Sequence, residues 1–143
     1  MKFSLLLTAM LAAALVTAAA GPGVTYIGHD KVAGALAKGG ALVTASDLLV
    51  SGSHRDGVGM VEVHDKETDV MYVTDGSATL VTGGAMVGGK VTAPGQWRGT
   101  EIKGGDTHQL TKGDVVVVPA GTPHWFKEVP KSVSYFVVKV LKP

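Results

Sequence analysis

An all-β fold, an antiparallel sandwich or small barrel preceded by one short helix, follows from three features of this sequence. From Ala41 onward helical periodicity is absent. Short runs rich in β-branched and aromatic residues take its place. Glycine pairs at 83–84, 88–89 and 104–105 divide them, at turns where φ > 0 is expected. Closing many short strands into a sandwich or barrel limits the exposed sheet edges.

Taken in order, residues 1–20 read as a signal peptide. Lys2 supplies the positive region, Leu5 to Val16 the apolar run, and Ala18-Ala19-Ala20 the small-residue cleavage site before Gly21-Pro22. The apolar run is shorter than the ~20 residues of a spanning helix, which favours export over a retained anchor. Residues 21–40 form an N-terminal segment in which Asp30 caps a short helix over Lys31–Ala37 and Gly39-Gly40 ends it. Residues 41–143 form the barrel domain. Its strands are expected at 42–45, 48–53, 58–64, 69–74, 78–82, 85–91, 99–103, 107–110, 114–119, 124–126 and 133–141.

Charge and composition narrow the function. Of 13 Lys+Arg and 12 Asp+Glu, cleavage removes only Lys2, so the mature chain is close to neutral, with no pull toward nucleic acid or an anionic membrane. The absence of cysteine excludes disulfides, thiolate metal sites and cysteine nucleophiles. The exported protein is expected in a periplasm or outside the cell.

The candidate chemistry lies in two stretches. From Gly113 to His124, a buried strand of four valines, Val115 to Val118, runs into Pro119-Ala120-Gly121 and delivers His124 from a fixed turn. On the strand 58–64, alternation places Met60, Glu62 and His64 on one face and Val61 and Val63 on the other. Two metal-capable groups two residues apart on a strand point the same way, as chelation from a sheet requires. After the polar turn 65–68, an adjacent antiparallel strand would bring Asp69 beside them and run to a turn at Asp75-Gly76. Glu62 reads either as a ligand or as a solvent-facing or orienting partner of His64. His64 and His124 also have readings without metal, as a strand histidine and a turn cap.

Other residues take plainer readings. His29 and His54 are surface or strand residues and His108 an exposed hairpin residue. Met60, Met71 and Val73 line the barrel, while Tyr72, Trp125 and Phe126 pack in the core. Gln96-Trp97-Arg98 is a solvated loop.

In these motifs the chain resembles the cupins, small double-stranded β-helix (jelly-roll) barrels with two sequence motifs. The first runs glycine, His-x-His, three or four residues, Glu, six residues, Gly. Glu62-x-His64, four residues, Asp69, six residues and Gly76 keep this spacing, with Glu for the first His and Asp for the Glu. The leading glycine, Gly57, is one residue out of register. The second motif is matched by Gly113, Pro119, Gly121 and His124, with Glu128 where Asn is usual.

The resemblance implies a divalent metal inside the barrel, held by Glu62, His64, Asp69 and His124. Two imidazoles and two carboxylates suit Mn, Fe, Zn or Ni and disfavour Cu(I). It further implies a small metalloenzyme, of dioxygenase, isomerase or lyase type, acting on a small polar organic substrate. A carboxylate left unligated, Glu62 or Asp69, would serve as catalytic base. The alternative is a non-catalytic barrel that binds a metal or small ligand through a degenerate site. The resemblance also implies a homodimer; the C-terminal run 133–141, apolar on both faces, needs cover from the core on one side and from either the N-terminal segment or a partner on the other.

Overall fold

A computed structural model describes residues 23–143, so the signal-peptide reading of residues 1–20 lies outside the described residues. The described residues open with α1 (His29–Lys38) and continue as twelve strands. These are β1 (Gly40–Thr44), β2 (Leu48–Arg55), β3 (Val61–His64), β4 (Glu67–Thr82), β5 (Ala85–Val87) and β6 (Lys90–Ala93). They continue with β7 (Gln96–Gly99), β8 (Glu101–Lys103), β9 (Asp106–Thr111), β10 (Val115–Val118), β11 (His124–Glu128) and β12 (Val133–Leu141). The antiparallel all-β barrel with one short helix is therefore the observed architecture.

One long strand organises it. The two runs expected at 69–74 and 78–82 are a single strand, β4, and Asp75-Gly76 is a bend within it rather than a turn. Its first half pairs with β10 and β12, its second half with β9 and β11. The curled sheet runs β1-β2-β12-β4-β11-β3-β7-β6, so β4 carries the chain from one wall of the barrel into the other. The bend requires glycine. Gly76 has φ 76°, and a Cβ there would fall 2.0 Å from the Ser132 carbonyl oxygen.

Alternation fills the interior. Met71, Val73, Leu80, Val118, Phe126, Val133, Tyr135 and Val137 belong to one buried cluster. A smaller cluster of Val61, Val81 and Ile102, backed by Met86 and Trp125, includes residues of a separate two-stranded sheet formed by β5 and β8. Helix α1 lies against β2. It sits so close that a Cβ on Gly52 would fall 2.6 Å from the Ala35 carbonyl carbon.

Several local expectations are corrected. Gly28, not Asp30, is the N-cap residue; Asp30 lies in the first helical turn, where a carboxylate suits the helix dipole. Met60 and Val58 are exposed, because the strand begins only at Val61 after the glycines at 57 and 59. Tyr72 is exposed as well, since Met71 and Val73 take the inward positions of β4. The four-valine strand β10 lies at a sheet edge, paired with β4 alone, and Val115 and Val117 face outward while Val118 is buried. Gln96 to Gly99 is a strand, not a solvated loop, because it pairs with β3 residue for residue.

Candidate metal centre

The second motif's turn is fastened to the first motif's strand. Gly121 N–H donates to the His64 carbonyl at 2.8 Å, and Thr122 N–H to the Pro119 carbonyl at 3.1 Å. His124 opens β11 and lies opposite Glu62 of β3 in register. Asp69 arrives by a route the sequence reading missed. It is no hydrogen-bonded neighbour of β3 but lies on the first half of β4, across the barrel interior.

All four sequence-identified residues meet there. Glu62 Oε2 lies 3.4 Å from His64 Nε2 and 3.9 Å from His124 Nε2. Asp69 Oδ2 lies 3.5 Å from His64 Nε2 and 3.7 Å from His124 Nε2. His64, Asp69 and His124 are buried, at 3%, 4% and 4% exposure. Glu62, His64 and His124 form a set whose ligand atoms all lie within 4.8 Å of one another, and His64, Glu67 and Asp69 form a second.

The hydrogen bonds orient both imidazoles. Gln96 Nε2 donates to Glu67 Oε1 at 2.7 Å, so its Oε1 is the acceptor for His64 Nδ1–H. His124 Nδ1–H donates to the Thr122 carbonyl at 3.1 Å. Each ring therefore turns a bare Nε2 lone pair toward the carboxylates, the orientation that partners of metal-bound histidines impose. His64 Nε2 is buried and has no hydrogen-bond partner among the described residues. Burial pushes the His124 pKa down, against the opposing pull of Thr122 and the carboxylates, which keeps its lone pair free.

The donor set fits a divalent ion. A tetrahedral ion with bonds of about 2.1 Å spaces its ligand atoms about 3.4 Å apart, close to the gaps observed. Those gaps are long for hydrogen bonds, and lone pairs facing carboxylates repel unless a cation lies between them.

Three cations surround the cluster. Arg55 Nη2 lies 3.5 Å from Glu62 Oε1 and Arg98 Nη2 3.8 Å from Glu62 Oε2. Arg55 also donates to the Tyr135 hydroxyl at 2.9 Å and sits 4.7 Å above the Phe126 ring. Burial pushes the Glu62 carboxyl up, but in acid, where the imidazoles take up protons, the His64 contact and the charges of Arg98, His124 and Arg55 outweigh it and bring the pKa to about 2. Lys139 Nζ contacts both Asp69 oxygens, at 2.8 and 3.0 Å, and Glu67 Oε2 at 2.9 Å.

Gln96, Arg98, Glu67 and Lys139 were not singled out from the sequence as site residues, yet a signal was present. Lys139 shares the inward parity of Val133, Tyr135 and Val137. Gln96 and Arg98 alternate like a strand and lie opposite His64 and Glu62. A cavity of about 150 Å³ opens beside the cluster, lined by Ser51, Ser53, Arg55, Glu62, His124 and Lys139 among others. A larger hollow of about 530 Å³, between residues of β9 and β10, holds His108 but no histidine–carboxylate cluster of this kind among the described residues.

The chain belongs to the cupin family, whose profile matches residues 45–143. Solved structures share the fold at low identity. KdgF from a Halomonas species is 16% identical with a TM-score of 0.53, over 73% of this chain and 77% of that one. BH2720 from Bacillus halodurans is 14% identical with a TM-score of 0.52, over 72% and 69% of the two chains. The cupin domain of Schizosaccharomyces pombe Cnp3 is 10% identical with a TM-score of 0.52, over 72% and 59%. No protein of curated function matches the sequence.

Proposed function

We propose that this cupin holds a divalent metal ion (Mn, Fe, Zn or Ni) at Glu62, His64 and His124, with Asp69 beside it, and acts on a small polar organic substrate. The observation that carries the reading is His64 Nε2: buried, without a hydrogen-bond partner among the described residues, and aimed at two carboxylates by the bond its other nitrogen makes to Gln96. The ion, when bound, supplies Lewis-acid polarisation of substrate oxygens. The chain's residues do the rest. Ser51, Ser53 and Arg55 line the cavity of about 150 Å³ that receives the substrate. Asp69 serves as the base, the role open to a carboxylate outside the ligand set. Dioxygenase, isomerase and lyase chemistry remain the candidate reaction types, since a fold hosts many activities. A non-catalytic binder is the second reading, favoured by the replacement of His by Glu62 and of Glu by Asp69 in the first motif.

The test is metal content of the purified protein beside His64→Ala and His124→Ala. Near-stoichiometric metal in the parent, and loss of most of it in both variants, is expected. Metal unaffected by either change removes the site. Oxygen uptake and product analysis over diols, thiols and keto acids then separate oxygenase from lyase and from passive binder.

The same proposal places the mature protein outside the cytoplasm, on the pattern of residues 1–20, and makes it a homodimer. The dimer is supported by the outward row of Tyr72, Val115, Val117 and Val140, all exposed on neighbouring strands β4, β10 and β12. Light scattering that gives a monomer at micromolar concentration would count against it.

A further inference from the structure

Lys139 is the only charged residue of β12, and it occupies an inward position after three buried ones, Val133, Tyr135 and Val137. The β12–β4 register sets it directly opposite Asp69. Its ammonium group engages both Asp69 oxygens, at 2.8 and 3.0 Å, and is held from the other side by Glu67 Oε2 at 2.9 Å. Gln96 in turn donates to Glu67, so the chain Lys139–Glu67–Gln96–His64 is continuous. Asp69 is thus drawn from two directions, since its Oδ2 also lies 3.5 Å from His64 Nε2 and 3.7 Å from His124 Nε2.

We infer that Lys139 is a positioning residue that withholds Asp69 from the metal, leaving Glu62, His64 and His124 as the protein ligands. The inference rests on the metal reading proposed above. To ligate the ion, Asp69 would have to share an oxygen between a dication and an ammonium group in a buried site, where like charges repel strongly. With Asp69 held back, the ion has one anionic protein ligand instead of two. It is then bound less tightly, stays the stronger Lewis acid, and keeps a position free for substrate. Asp69 remains beside the open position as a carboxylate that does not ligate. The cupin spacing is kept while the fourth ligand is taken out of the set by a lysine some seventy residues further along the chain.

Cobalt(II) titration tests this, with affinity read by chelator competition and coordination by visible d–d absorption. Lys139→Met keeps the side-chain length and removes the charge. It should bind cobalt at least about tenfold more tightly, with a changed spectrum as Asp69 joins the ion. Lys139→Arg should keep the parent affinity and spectrum. Asp69→Asn removes a charge beside the ion and so weakens binding, but should keep the parent spectrum, and the Asp69→Asn/Lys139→Met double variant, in which both charges are gone, should return toward the parent value. Lys139→Met that binds no more tightly and keeps the parent spectrum, or Asp69→Asn that changes the spectrum, overturns the inference while the metal reading stands. Failure of the parent protein to bind cobalt overturns both. If Lys139→Met does not fold because a buried carboxylate is left unpaired, Asp69→Asn decides alone, because there Lys139 still has Glu67 as partner.

Discussion

Replacing Gln96 by Leu should weaken metal binding without touching any proposed ligand. Gln96 accepts from His64 Nδ1–H with its Oε1 and donates from Nε2 to Glu67 at 2.7 Å. These two bonds fix three things at once: the amide's orientation, the His64 tautomer and the direction of its Nε2 lone pair. Leu fills similar volume but makes neither bond. The Nδ1–H is left unpaired in a residue only 3% exposed, and the tautomer that carries the proton on Nε2 gains ground. Partners of this kind are typically worth about 10–100-fold in metal affinity, or roughly 1.4–2.8 kcal/mol. The unpaired donor adds about 1–3 kcal/mol of lost fold stability, present with or without metal. Zinc competition with a chromogenic chelator reads the first quantity, and urea denaturation of the metal-free protein the second. A Gln96→Leu variant that binds zinc within twofold of the parent would refute the assignment of tautomer and orientation. Gln96→Glu separates the two bonds, because its carboxylate still accepts from His64 yet meets Glu67 as a like charge.

Two further predictions concern the scaffold and its titration. Gly76→Ala should destabilise the barrel by about 3 kcal/mol or more in denaturant unfolding, because the new Cβ meets the Ser132 carbonyl oxygen at 2.0 Å in a left-handed backbone conformation; an unchanged midpoint would show that the bend in β4 relaxes freely. The second is acid sensitivity of the metal-free protein. Glu62 titrates at about 2 in the fold against an ordinary 4.5, so the unfolded chain binds the extra proton first. Its stabilising contribution is complete above pH 4.5 and disappears as pH falls toward 2. The difference in melting temperature between parent and Glu62→Gln should therefore shrink across that window; a constant gap from pH 6 to pH 2.5 contradicts the assignment.

Some of the site is legible in the sequence because its signals are local. The Pro119-x-Gly121 turn, the two-residue spacing of Glu62 and His64, and the strand parity of Met71 and Val73 all depend on neighbours a few residues apart. The failures share the opposite origin. Tyr72 and Val115 were assigned to the interior because apolar residues favour strands, but which face of a strand is inward depends on what covers it. Gln96-Trp97-Arg98 was read as a loop because Pro94-Gly95 and Gly99 bracket it. Its pairing with β3 is a long-range contact that composition does not encode. Likewise the fused strand β4 hides behind Asp75-Gly76, a dipeptide that usually marks a turn and here marks a bend between two sheets.

By itself the sequence determined the barrel class and the identity of four polar residues that converge inside it. Alternation, turn glycines and motif spacing are properties of contiguous chain, and they survive without a third dimension. Only the tertiary structure decided what those four residues are bonded to. His64 turns its bare nitrogen inward because Gln96 of β7 holds the other, and Asp69 faces Lys139 because β12 pairs with β4 in that register. Charges separated by tens of residues in sequence come within 3 Å only when the sheet closes. Whether a carboxylate is available to a metal is set by that closure, not by the motif that contains it.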